Sequence, residues 1–164
     1  MPNFCQCTLE VMNSGPNVPG FKDLLEVVSG ENNDAVFSFN KIIPLPQDDA
    51  WFLKRIAHWG TKWDAGWPTV VKDGDVLTYN FSTAWAPPEP VFTKLAELFP
   101  QYTFRVWWWE AGMGDIGMEI YHAGKSVLHQ PLKPWQYRFL WRVSGILRKR
   151  DLRWSAILCG WFIA

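Results

Sequence analysis

The sequence predicts an α+β fold: a ferredoxin-like mixed or antiparallel sheet with helices packed on one face, plus a C-terminal helical extension. Three observations carry this. Short apolar-alternating stretches exchange with helical periodicities in the order β-α-β-α-β-β-α-β-β. Prolines and glycines punctuate nearly every junction. At 164 residues the chain has the length of one domain with a sizeable core, and 48% hydrophobic against 20% charged residues is ordinary globular usage.

The elements follow in order. Residues 4–12 (FCQCTLEVM) alternate as a strand and end at the turn signal Asn13-Ser14-Gly15-Pro16. Pro19 opens a helix to about Ser29, with Phe21, Leu24, Leu25 and Val28 on one face and Gly30 as its stop. Residues 35–43 (AVFSFNKII) read as a second strand, closed by Pro44 and Pro46. A helix over 49–59, capped by Asp48 or Asp49, places Phe52, Ile56 and Trp59 on its buried stripe. Residues 60–68 read as loop. Residues 69–72 and 76–83 pair across Asp73-Gly74 as a hairpin. Pro90 lies in the first turn of a helix ending at Phe99, before Pro100. Residues 102–110 (YTFRVWWWE) form the clearest strand, with 116–122 as its partner. Beyond Lys133, Phe139, Val143 and Ile146 recur at helical spacing, which predicts an amphipathic C-terminal helix.

Charge divides the chain. Residues 1–123 carry 8 Lys+Arg against 15 Asp+Glu and 124–164 carry 8 against 1, net −7 and +7. We therefore read 1–123 as the ferredoxin-like domain and 124–164 as a basic, Trp-rich extension, packed on it or forming an interaction tail through Arg138, Arg142, Arg148, Lys149, Arg150 and Arg153. The start MPNFCQCTLE lacks a basic region and a long apolar run, and the late apolar stretch 154–164 is shorter than the roughly 20 residues of a membrane span. The expectation is a cytoplasmic protein with no membrane span.

Catalytic constellations are sparse. Cys5 and Cys7 share a strand face, but zinc needs further ligands in recognisable spacing, and nothing in the sequence sets His58, His122 or His129 beside them. Gly112-Met113-Gly114-Asp115-Ile116-Gly117 matches GxGxxG by letters, yet it joins two strands; a phosphate loop must open a helix. A hairpin turn is the expectation, with no cofactor, no metal and no enzymatic activity. Two binding surfaces remain. Carboxylates at Asp64, Asp73, Asp75, Glu110, Asp115 and Glu119 can face a basic partner. Aromatics at Trp63, Trp67, Trp85, Trp107 and Trp109 cluster at one end of the sheet, as core or, where exposed, as an interaction patch. Of these, Trp107 and Trp109 share a face with Arg105 and can stack on bases of a single-stranded nucleic acid.

The motifs WGTKWD (59–64), FSTAWAPPEPVFTKLAELFP (81–100) and EAGMG (110–114), with FNKIIPLP (39–46), resemble the YubB-like family over about residues 4–123. These are small proteins of phages, prophages and conjugative plasmids with a ferredoxin-like fold, and the resemblance implies no catalytic residues. Two departures stand out: Asp115 where the family pattern usually has an aromatic, and the basic ending from 124. The resulting expectation is a non-enzymatic accessory protein of a mobile element that binds a host protein, as an inhibitor of a defence system such as a CRISPR complex or restriction enzyme. The alternatives are a nucleic-acid-binding module and a small metal- or cysteine-dependent enzyme. In local terms, Gly60 permits a tight helix exit and Asp64 can accept from loop amides.

Overall fold

A computed structural model describes residues 3–13, 20–29, 36–46, 50–136 and 139. Its elements are β1 (Phe4–Asn13), α1 (Lys22–Val28), α2 (Phe39–Ile42), α3 (Trp51–Trp59), β2 (Gly66–Asp73), β3 (Val76–Ala84), α4 (Glu89–Leu98), β4 (Tyr102–Glu110), β5 (Asp115–His122) and β6 (Lys125–Pro131). The chain divides into two compact units, Met1–Pro131 and Leu132–Ala164. The basic positions Arg138, Arg142, Arg148, Lys149, Arg150 and Arg153 lie outside the described residues.

The first unit holds a six-stranded sheet in the order β2-β3-β1-β4-β5-β6, antiparallel throughout. Its centre follows from strand chemistry. In β1 the odd positions Cys5, Cys7, Leu9 and Val11 are apolar and buried. Register puts Leu9 opposite Tyr79 of β3 and Val106 of β4, and Val11 opposite Leu77 and Phe104. Directly opposed residues share a face. That face packs against Phe21, Leu24 and Val28 of the first helical segment, Phe39 and Ile42 of α2, Trp59 of α3, and Val91, Phe92, Leu95 and Ala96 of α4. The ferredoxin-like α+β expectation is met.

Four local expectations are not. Residues 35–43, read as a strand, contain helix α2, and only 36–38 of the described part precede it without helical structure. The short helix forms because Phe39 and Ile42, three apart, both reach the core while a distant carboxylate holds its first turn (below). Helix α3 lies where expected, but Trp59 alone is buried; Phe52 and Ile56 face outward. Strand β2 begins at Gly66, inside the stretch read as loop, because a break in register between Gly66 and Thr69 accommodates Trp67 and Pro68. Strand β6 was not expected at all. It pairs with β5 from Lys125 to Pro131, within the segment read as extension.

The opposite sheet face also carries buried residues: Thr8, Glu10 and Met12 of β1, Thr78 and Ser82 of β3, Arg105 and Trp107 of β4, Ile116 and Met118 of β5. The 111–114 segment is a turn between β4 and β5 with Gly114 at φ 72°, so the GxGxxG letters form a hairpin turn rather than a phosphate loop. Gly117 is required for another reason. A Cβ there would fall 2.1 Å from the Trp108 ring, which lies over β5.

Candidate interaction site

The six carboxylates do not form one surface. Asp64 is consumed by the fold: its Oδ1 accepts from the amides of Phe39 (2.5 Å) and Ala65 (2.7 Å), and its Oδ2 from the Ser38 hydroxyl (2.7 Å) and the Asn40 amide (3.4 Å). It caps α2 from 25 residues away in sequence. Glu110 is buried and accepts from the amides of Gly112 (2.8 Å) and Met113 (2.6 Å), fixing the β4–β5 turn. Glu119 is buried on β5 with His129 Nδ1 at 3.3 Å. Asp73, Asp75 and Asp115 are exposed. Register sets them apart: Asp73 is paired with Val76, itself opposite Met12, whereas Asp115 is opposite Glu110, itself opposite Cys5. These are opposite ends of the sheet, so the expected carboxylate face is corrected to isolated rim charges.

The aromatics behave differently. Trp107 leaves the expected patch: it is buried, and its indole donates to Glu10 Oε2 at 3.0 Å. The same oxygen receives Arg105 Nε at 2.6 Å, and the guanidinium lies 5.6 Å from the Trp107 ring centre. This buried pair sits across the two central strands and is satisfied by charge-assisted hydrogen bonds.

Trp63, Trp67, Trp85 and Trp109, by contrast, gather at one end of the sheet. Phe4 opens β1 opposite Ala84, and Trp85 follows with its amide bonded to the Asn3 carbonyl (3.0 Å). Trp109 is opposite Gln6, two residues into β1 from Phe4. The Phe4 ring lies 5.8 Å from both Trp63 and Trp67. Exposure is high: 78% for Trp67, 47% for Trp109, 40% for Trp85, 44% for Phe4 and 79% for Met113 in the adjoining turn. Phe4 and Met113 were missed by sequence reasoning: Phe4 lies outside the motifs, and Met113, inside EAGMG, reads in the sequence only as part of a turn.

Two of these tryptophans are strained. Trp67 has φ 48° and Trp85 φ 67°, left-handed conformations that cost a residue with a Cβ about 1–2 kcal/mol. Such outliers persist only where surrounding structure fixes them, and they concentrate at functional positions. The bulge before Thr69 fixes Trp67, and the Asn3 bond together with Pro87-Pro88 fixes Trp85.

The remaining chemistry is muted. Cys5 and Cys7 are buried with sulfurs 3.9 Å apart, and burial, reinforced by Cys5, pushes the Cys7 thiol well up, away from the reactive thiolate. His122, opposite Thr103, lies toward the other end of β4 from Glu110, the partner of Cys5. Among the described residues no group of three or more His, Cys, Asp or Glu could hold a metal. Around Glu119, burial raises the Glu89 carboxyl, with repulsion from Glu119 and Asp115 adding and His129 opposing. Burial likewise raises the Tyr121 phenol, helped by its hydrogen bond to Glu119.

The antiparallel sheet with its helices defines a ferredoxin-like α+β domain. Residues 58–136 match the family model described as the ferredoxin-like domain in Api92-like protein. A solved structure, the protein api92 from Yersinia pseudotuberculosis, is similar with a TM-score of 0.51 at 20% identity, over 57% of this chain. The match spans 39% of that protein's length, and at this identity it shows the fold alone. No curated protein matches the chain.

Proposed function

We propose that the protein acts by binding another protein through the aromatic end of its sheet. The observation that carries this is the pair of exposed tryptophans, Trp67 and Trp85, held in left-handed backbone conformations beside exposed Phe4, Trp109 and Met113. Tryptophan anchors dominate binding energy in protein interfaces, and a contiguous exposed apolar patch is the usual mark of such a surface. Exposed Asp115 supplies a polar rim charge at the same end. Glu110 stiffens the neighbouring turn and so pre-organises Met113.

The finer reading rests on the resemblance of WGTKWD, TAWAPP and EAGMG to the YubB-like proteins of mobile elements. In that reading the partner is a host protein, and binding inhibits a defence complex of the CRISPR or restriction type. The working site is then Trp63, Trp67, Trp85 and Trp109, not the carboxylate set.

The experiment is affinity capture from bacterial lysate with the wild-type chain and with Trp67→Ala/Trp85→Ala. A protein retained by the first and lost from the second supports the proposal. Identical capture by both, or capture of none, contradicts it. Binding of single-stranded RNA or DNA at low salt, abolished by the same substitutions, would instead establish the nucleic-acid alternative.

A further inference from the structure

Helix α3 is amphipathic, but it is mounted with its apolar side out. At about 100° per residue, Trp59, Phe52, Ile56, Leu53 and Ala57 fall on one continuous arc. Only Trp59 is buried, anchored by its indole N–H on the Ile43 carbonyl (3.0 Å) and edge-on to Phe39. Leu53 is 69% exposed, and Phe52 and Ile56 are exposed as well. On the same projection Lys54 and Arg55 flank the arc on its two sides. Arg55 lies 5.0 Å and 5.1 Å from the Trp51 and Trp59 ring centres, and Lys62 lies 5.5 Å from that of Phe52.

Helix α3 itself carries charge of one sign: Lys54 and Arg55 are its only Lys, Arg, Asp or Glu residues. We propose that α3 seats the protein peripherally on an anionic phospholipid surface, a property beyond the protein-binding reading and independent of it. A convex helix with Phe, Leu and Ile outward and cations at both edges suits an apolar layer beneath negative headgroups. Arg55 and Lys62 lie against the Trp51, Trp59 and Phe52 rings while their charged ends can reach phosphate. Among the described residues no helix is long and apolar enough to cross a membrane, so the contact is a surface one.

The test is co-sedimentation of the full chain with phosphatidylcholine vesicles, with and without phosphatidylglycerol. Wild type is expected to bind the anionic vesicles about tenfold or more tightly, and less in high salt. Leu53→Glu/Ile56→Glu changes exposed residues only, which circular dichroism checks, and is expected to abolish that binding. Trp67→Ala/Trp85→Ala is expected to retain it, which separates this surface from the protein-binding end. Absence of binding overturns the proposal, and so does equal binding to neutral vesicles. Binding indifferent to Leu53→Glu/Ile56→Glu also overturns it and assigns the lipid contact to the basic stretch 124–164. Loss of a captured protein with Leu53→Glu/Ile56→Glu, without vesicle binding by wild type, would make α3 a protein-docking helix instead.

Discussion

Replacing Asp64 by Ala separates a structural carboxylate from a binding one. Asp64 accepts from three donors at 2.5–2.7 Å and a fourth at 3.4 Å. Two of the close donors, the Phe39 amide and the Ser38 hydroxyl, belong to buried residues and would lose their acceptor. An orphaned buried donor costs about 1–3 kcal/mol, and loss of an N-cap costs about 0.5–2 kcal/mol. The site is half-buried and the Ala65 amide can turn to water, so the combined loss is about 2–4 kcal/mol. For a chain of this length that lowers Tm by roughly 4–16 °C. Urea unfolding followed by circular dichroism reads the free energy, and calorimetry reads Tm. Asp64→Asn retains a carbonyl acceptor for the two amides on Oδ1 and is expected to lose about half as much. A change below about 0.5 kcal/mol for Asp64→Ala, the range of an ordinary surface substitution, would refute the capping role.

Two further outcomes follow from the core. Arg105→Ala removes the guanidinium from the buried Glu10 carboxylate, which keeps the Trp107 indole as a donor, and is expected to destabilise by about 1–3 kcal/mol in urea titrations; a loss under about 0.5 kcal/mol would mean the ion pair does not support the sheet. The thiols of Cys5 and Cys7, buried and in the case of Cys7 raised in pKa, are expected to resist a thiol reagent near pH 8 in the native protein and to react fully in denaturant. Rapid native labelling of more than one thiol would contradict that burial.

The centre of the sheet was legible in the sequence because its strands announce themselves locally, whereas β6 did not. The alternation of 4–12, the Asp73-Gly74 hairpin and the run YTFRVWWWE each fix a strand without help from elsewhere. What was not legible depends on partners far along the chain. Helix α2 falls in 35–43, where apolar residues alternate as in a strand, while its cap comes from Asp64. The stripe of α3 has the correct period, but periodicity does not say which side faces the protein. Trp107 and Trp109 look alike in sequence; Glu10 beneath one and solvent beside the other distinguish them. The six carboxylates do not share one face for the same reason, since the burial of Glu110 and Glu119 and the hydrogen bonding of Asp64 and Glu110 are properties of packing. The aromatic end was half visible: four of its tryptophans were identified, but not their left-handed strain, Phe4 or Met113.

Strain at an exposed residue is maintained against stability, and this gives the central claim its most direct measurement. Trp67→Gly removes the left-handed penalty of about 1–2 kcal/mol while adding about 0.5–1 kcal/mol of unfolded-chain entropy. It also removes a ring that is 78% exposed. Stability and partner capture should be measured together on this single variant. Urea stability within about 1 kcal/mol of wild type is expected, together with loss of the captured protein. Full retention of capture by a stable Trp67→Gly chain would contradict a binding role for the aromatic end.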